Sequence, residues 1–239
     1  MKKINFRSRS KTEFEIQDRP YPASQAVPDW WKKATPYNVE PRNPEGKKFF
    51  VSNRTSNATF KKCTPMLDGL TSGYIIPLWA DVQVTQTDPV PTLTWRTVHD
   101  VFSLHGESAR DVPPPPGYHN IVLKYHNAWI PQTPPGYSIM VTSPHGYQDL
   151  PFKAIPAVLD SDRSTLELLF PMWIKRDYEG VVERGTPLVQ LTPFKREDWQ
   201  AEFDYYEDSE YRFIVEERNF NATLVNHYIK RHWSKKTYK

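Results

Sequence analysis

The sequence predicts a mainly β protein: a jelly-roll-like sandwich with an extended N-terminal arm, one short helix near residues 64–72 and a helix at the C-terminus. Three observations carry that expectation. Short runs of β-branched and aromatic residues recur roughly every 8–12 residues, the spacing of antiparallel sandwiches and barrels. The chain has 23 prolines against 9 glycines, so its corners are stiffened and long helices are interrupted. Hydrophobic residues make up only 38% of 239 residues, but aromatics reach 14% and supply large buried areas per residue.

In chain order, residues 1–46 form a proline-rich arm that wraps the domain. Within it Val27 to Lys33 offers one helical turn carrying Trp30 and Trp31. Residues 47–199 are the β domain. Thr64-Pro65 is a cap and first-turn pair, and Gly73 stops the helix that follows. Tyr74 to Leu78 and Asp81 to Thr85 read as strands around a Trp79-Ala80 bend, and Leu93 to Phe102 as one further strand. Ser108 to Gly117, with four consecutive prolines, reads as an exposed polyproline-like loop. Ile121 to Tyr125 and Ile139 to Thr142 are core strands joined as a hairpin by a stiff corner built from Trp129, Thr133, Pro134, Pro135, Gly136 and Tyr137. Phe152 to Asp160 and Thr165 to Phe170 flank the acidic turn Asp160-Ser161-Asp162. Val181-Val182 and Leu188 to Leu191 flank a corner at Gly185. In residues 200–239 an acidic-aromatic stretch precedes a helix capped by Asn221, with Leu224, Val225, Tyr228 and Ile229 on one apolar stripe, and then a basic tail.

The net charge of +3 arises from 31 basic and 28 acidic side chains, so nothing in the overall field points to nucleic acid. The basic residues concentrate at the ends: Lys2, Lys3, Arg7, Arg9 and Lys11, then Lys230, Arg231, Lys235, Lys236 and Lys239. One cysteine, Cys63, precludes an intrachain disulfide and any Cys-x-x-Cys zinc spacing. No run of 18 apolar residues exists and no apolar stretch follows the first lysines. The expectation is a chain that is not secreted and has no membrane partner, so the Asn-x-Thr triplets at Asn53, Asn57 and Asn221 stay unglycosylated.

Trp129-Ile130-Pro131-Gln132-Thr133-Pro134-Pro135-Gly136-Tyr137-Ser138 resembles the Trp-x-x-x-Thr-Pro-Pro-Gly-Tyr-Ser signature of an uncharacterised family found in tailed bacteriophages and some bacteria. Further stretches resemble it in order: Pro28-Asp29-Trp30-Trp31-Lys32, Lys62 to Asp68, Gly73 to Leu78, Leu159-Asp160-Ser161-Asp162, Phe170 to Trp173, Gly185 to Gln190 and Pro193 to Glu197. The similarity spans about residues 20–200. It implies a phage-like origin and a β-rich, jelly-roll-like domain, and it brings no catalytic residues with it.

Nucleotide-binding glycine loops and the Gly-x-Ser-x-Gly elbow are absent from the sequence. His105-Gly106-Glu107 is a His-x-Glu triplet, which with a distal His145 or His126 would make the Fe(II) site of a jelly-roll 2-oxoglutarate oxygenase. Lys153 or Arg163 would then pair with the co-substrate carboxylate. That is the alternative. The leading expectation is a non-catalytic phage-type protein with no cofactor: a virion component or assembly factor, in the host cytoplasm during assembly and then in the virion. Its partners are other virion or assembly proteins or further copies of itself. Its contact residues are Trp30, Trp31, Lys230, Arg231, Lys235 and Lys236.

Overall fold

The period-two runs become fourteen short strands in the computed structural model, which describes residues 2–37, 59–106, 111–164, 166–223 and 226–239. The N-terminal part contains β1 (Asn5–Ser8), α1 (Lys11–Ile16), β2 (Tyr21–Pro22) and α2 (Asp29–Lys33). Then come α3 (Thr64–Thr71), β3 (Tyr74–Pro77), β4 (Val82–Thr85), β5 (Thr92–Trp95), β6 (Phe102–Leu104), β7 (Leu123–His126), β8 (Trp129–Gln132) and β9 (Tyr137–Thr142). The rest are β10 (Phe152–Ala154), β11 (Ala157–Leu159), β12 (Leu169–Ile174), β13 (Gly180–Val182), β14 (Pro187–Lys195), α4 (Asp208–Thr223) and α5 (His227–Arg231).

All strand pairs are antiparallel, and the architecture is mainly β and sandwich-like. One sheet runs β11-β9-β14-β3-β2 and another β10-β12-β7-β6. Smaller sheets are β13-β4-β5 and β1-β8. The chain divides into two compact units. Unit 1 comprises Met1–Val27, Leu70–Glu197 and Tyr238–Lys239; unit 2 comprises Pro28–Gly69 and Asp198–Thr237.

The core of unit 1 joins the inner faces of its sheets. Ile76, Ile139, Val141, Val189 and Leu191 come from the five-stranded sheet, Phe102, Leu123, Tyr125, Phe152, Phe170 and Met172 from the four-stranded one, and Val82, Val84 and Val182 from the three-stranded one. Phe102 stacks on Phe152 with ring centroids 4.6 Å apart. Two large polar-tipped rings in the core find acceptors: the Tyr125 hydroxyl donates to the Pro77 carbonyl at 2.6 Å and Trp79 Nε1 to the His126 carbonyl at 2.8 Å, whereas Trp173 Nε1 is buried without a hydrogen-bond partner among the described residues.

Several sequence expectations are corrected here. The stretch from Leu93 to Phe102 is two strands, β5 and β6, in different sheets, because residues 96–100 offer no buried face and Val98 is almost fully exposed. The expected hairpin across residues 121–142 does not form, since β7 and β9 also belong to different sheets. The stretch between them contains a strand of its own, β8, with Trp129 and Pro131 turned inward and pairing only with β1. Pro131 is tolerated there because a two-stranded ribbon leaves one edge unpaired, where a missing N–H costs nothing. The C-terminal helix does not start at Asn221. α4 already begins at Asp208, with Asp208 and Glu210 in its first turn favouring the helix dipole, and Asn221 lies within it. Leu224 and Val225 of the expected stripe lie outside the described residues, as do Asn53, Asn57, residues 108–110 of the proline loop and the side chain of Asn221.

The arm also holds more structure than its prolines suggest. β1 and β2 join sheets, and α1 is started by Ser10, whose Oγ accepts the Glu13 N–H at 3.1 Å.

Candidate functional site

The corner at residues 133–137 is where the described chain gathers its most connected polar network. Gly136 has a φ of 82°, which reverses the chain where an L side chain would be strained. Its N–H donates to Asp162 Oδ2 at 2.8 Å and its carbonyl accepts the Arg196 N–H at 2.9 Å. Thr133 Oγ1 donates to the Tyr137 carbonyl at 2.9 Å and lies 2.7 Å from Ser161 Oγ, and the Ser138 hydroxyl donates to Asp160 Oδ1 at 2.6 Å. Arg196 places both guanidinium ends on the Asp162 carboxylate, with Nη1 2.8 Å from Oδ1, and also reaches Ser138 Oγ at 2.9 Å.

The electrostatics follow from those bonds. The Arg196 guanidinium, the Gly136 N–H and the charge of Arg196 together hold the Asp162 carboxyl far below the usual carboxylate range, against a smaller opposing cost of burial. Arg196 is correspondingly raised by Asp162. Every donor and acceptor named here is already used by the chain, so the network fixes a corner. Three stretches far apart in the chain meet in it, around Ser138, Asp160 and Arg196. Trp129 anchors the approach, donating from Nε1 to the Asp18 carbonyl at 2.8 Å and packing edge-on against Phe14. Tyr137 receives a hydrogen bond from the Lys2 ammonium on its hydroxyl, and that ammonium lies 4.0 Å from the ring centroid.

The expected iron ligands are placed less favourably. Glu107 lies outside the described residues. His105 follows β6 and donates its N–H to the Val122 carbonyl, whereas the His126 N–H donates to the Val101 carbonyl at the other end of the same β6–β7 ladder. Among the described residues, His105, His126 and His145 belong to no group of three His, Cys, Asp or Glu side chains whose ligand atoms converge. His126 Nε2 lies 2.7 Å from Ser103 Oγ, and burial together with the charges of Arg9 and Lys124 lowers its proton affinity despite Asp100. His145 sits in the turn after β9, with its N–H on Gln190 Oε1 and its Nε2 3.2 Å from Thr142 Oγ1. Lys153 lies over the Tyr118 ring, and the Arg163 N–H closes the turn on the Asp160 carbonyl.

The expected contact residues divide. Trp31 is buried in unit 2, with the Lys61 ammonium donating to its carbonyl and lying over its ring, so it holds the unit's own fold. Trp30 packs edge-on against Trp31 and remains partly exposed. Lys236 donates to Asp68 Oδ2 at 2.6 Å beside Trp233 Nε1, which reaches the same oxygen at 2.9 Å. Lys230, Arg231 and Lys235 are exposed, the first two in the last turn of α5 where positive charge suits the helix dipole.

A surface feature that the expected contact residues do not include is the exposed aromatic stretch of unit 2. Trp199 is 87% exposed, Phe203 95% and Tyr205 78%, and Tyr206, Tyr211, Phe213 and Phe220 are exposed as well. Asp198, Glu202, Asp204, Glu207, Asp208 and Glu210 interleave with them, with no basic residue between 198 and 211. The signal in the sequence is a dense set of rings interleaved with carboxylates, with no Leu, Ile, Val or Met between residues 198 and 212 to build a core around them.

Unit 1 also has a cleft of about 940 Å³ whose walls include Ile16, Trp79, Asp81, Trp95, Arg96 and Arg184. Arg184 is committed to Asp18, with Nε 2.7 Å from Oδ2, and Asp81 accepts the Arg184 N–H at 2.7 Å. Comparison with protein-family models, curated proteins and solved structures gives no match to the chain.

Proposed function

We propose that this chain is a non-catalytic, phage-type protein that works by docking onto other proteins, as a virion component or an assembly factor. The observation that carries the reading is the exposed aromatic-acidic segment from Trp199 to Phe220. Isolated surface rings are ordinary, but a contiguous series of them marks an interaction surface. Covering three or four such rings would contribute on the order of 5–10 kcal/mol before the costs of association, sufficient to hold a specific complex.

One further feature supports the reading. The polar groups of the 133–137 corner are consumed by the chain itself, which suits a rigid scaffold better than a reaction centre. The acidic character of the segment selects a partner surface that is basic around an apolar centre.

The test is the chain's presence in purified particles. Quantitative mass spectrometry should find it there at fixed copy number, or assembly should stall when it is deleted. A variant carrying Phe203→Ser and Tyr206→Ser should reduce incorporation or assembly by at least tenfold while the purified protein stays folded. Unchanged incorporation and assembly in that variant would overturn the proposal.

A further inference from the structure

Unit 2 carries a second chemical feature, built where the C-terminal half of α4 meets α5. α4 ends at Thr223, and the chain turns through Asn226, whose φ of 61° lies in the left-handed region. Asparagine enters that region more readily than other residues with a side chain, because its short amide can bond locally. After the turn, α5 packs against α4, with His227 at its first position and His232 just after its last.

Both imidazoles point at one carboxylate. His227 Nε2 lies 3.1 Å from Glu217 Oε2 and His232 Nε2 lies 3.0 Å from the same oxygen. Glu217 and His227 are mostly buried side chains, 14% and 12% exposed, while His232 forms the open rim at 39%. Among the described residues this is the one group of three His, Cys, Asp or Glu side chains whose ligand atoms converge, all within 4.8 Å of one another.

We infer that Glu217, His227 and His232 form a binding site for a divalent transition-metal ion of the zinc class. Ligand atoms about 2.0–2.2 Å from one such ion, at angles near those of a tetrahedron or octahedron, sit roughly 2.9–3.5 Å from each other. Both Glu–His separations fall in that range. His232 is the more exposed of the two rings, and rotation about its side-chain bonds would close the remaining separation. Two imidazoles with one carboxylate suit zinc, cobalt or nickel, whereas calcium and magnesium take oxygen ligands.

The ion would replace two imidazole N–H groups that otherwise share a single oxygen, and it would tie α5 to α4 by coordination. Three protein ligands leave a fourth position for water or for a donor from another molecule.

The experiment uses the untagged full chain, stripped with chelator and dialysed against Zn²⁺ alone, with metal counted by mass spectrometry. One ion per chain is expected. His227→Ala and Glu217→Gln should each weaken binding by more than the roughly 10–100-fold typical of losing an outer-shell partner. His232→Asn changes a rim residue and keeps the test meaningful if the other variants fail to fold; it should abolish the visible Co²⁺ bands seen with the wild-type protein. His105→Ala should leave Zn²⁺ binding unchanged. No stoichiometric Zn²⁺ in the wild type, equal binding in the three ligand variants, or loss in His105→Ala would each overturn the site.

Discussion

Tyr125→Phe isolates one bond that ties the sandwich together. Tyr125 has no exposed surface, lies on β7 in the four-stranded sheet, and donates its hydroxyl to the Pro77 carbonyl on β3 in the five-stranded sheet at 2.6 Å. The Leu78 N–H donates to the Thr186 carbonyl after the corner that leads into β14, so the Pro77 carbonyl, on the other side of that peptide plane, points away from β14 and lies beyond the β2 pairs at Tyr74 and Ile75. The tyrosine therefore supplies a donor that the sheet itself lacks at this point. Phenylalanine keeps the ring packing, including the contact with Phe102 at 5.4 Å, and removes only the hydroxyl.

The expected cost is that of leaving a buried carbonyl unsatisfied, about 1–3 kcal/mol. In a protein of this size that lowers the melting temperature by roughly 2–10 °C. Urea unfolding followed by far-UV circular dichroism should show an earlier midpoint with unchanged slope. Tyr125→Ala, which also empties the ring's volume, should cost more, about 3–5 kcal/mol. A Tyr125→Phe midpoint indistinguishable from wild type would refute the bridging role and the cross-sheet geometry behind it.

Gly73 and Gly136 both have positive φ but should respond differently to alanine. At Gly73 a Cβ would meet the Leu191 carbonyl oxygen at 2.0 Å, so Gly73→Ala should abolish the soluble folded protein; at Gly136 the space is open and the cost should be only the backbone strain, about 1–2 kcal/mol by thermal melt. Trp31→Ala should destabilise unit 2 by about 3–5 kcal/mol and Trp30→Ala by clearly less, as limited proteolysis of residues in that unit would read out. The Asp162 carboxyl is depressed in the folded chain, so its stabilisation is complete above the unfolded carboxylate value near 4 and is lost as pH falls from there through the folded value. Asp162→Asn should accordingly reduce stability at pH 7 and flatten its decline on acidification below about pH 4 relative to wild type, as urea midpoints against pH would show.

Much of the fold is legible where the signal is local. Val82 to Thr85 alternates and forms β4; Thr64-Pro65 starts a helix that ends before Gly73; Gly136 turns the corner it was expected to turn. The failures lie where pairing partners are distant. β8 carries the same alternation as any strand but was hidden by its prolines, and its partner β1 lies more than 120 residues earlier. Ser10 and Glu13 announce α1 through a capping pattern, but the helix is only six residues long and shows no full apolar stripe. The Asp162–Arg196 pair, 34 residues apart, and the Asp68–Trp233 bond, 165 apart, have no trace in periodicity. The Glu217, His227 and His232 group was invisible for the same reason: the turn at Asn226 brings it together, while helix-start chemistry in the sequence pointed to Asn221.

The docking proposal is tested most directly by hydroxyl-radical footprinting of residues 199–220 in the free chain and in purified particles or assembly intermediates. The free chain should be oxidised readily at Trp199, Phe203 and Tyr205, the most exposed rings of the segment. In the assembled state those same residues should be protected at least tenfold, while exposed Phe60 in unit 2 serves as the unprotected reference. Equal oxidation of the three rings in both states would contradict the account.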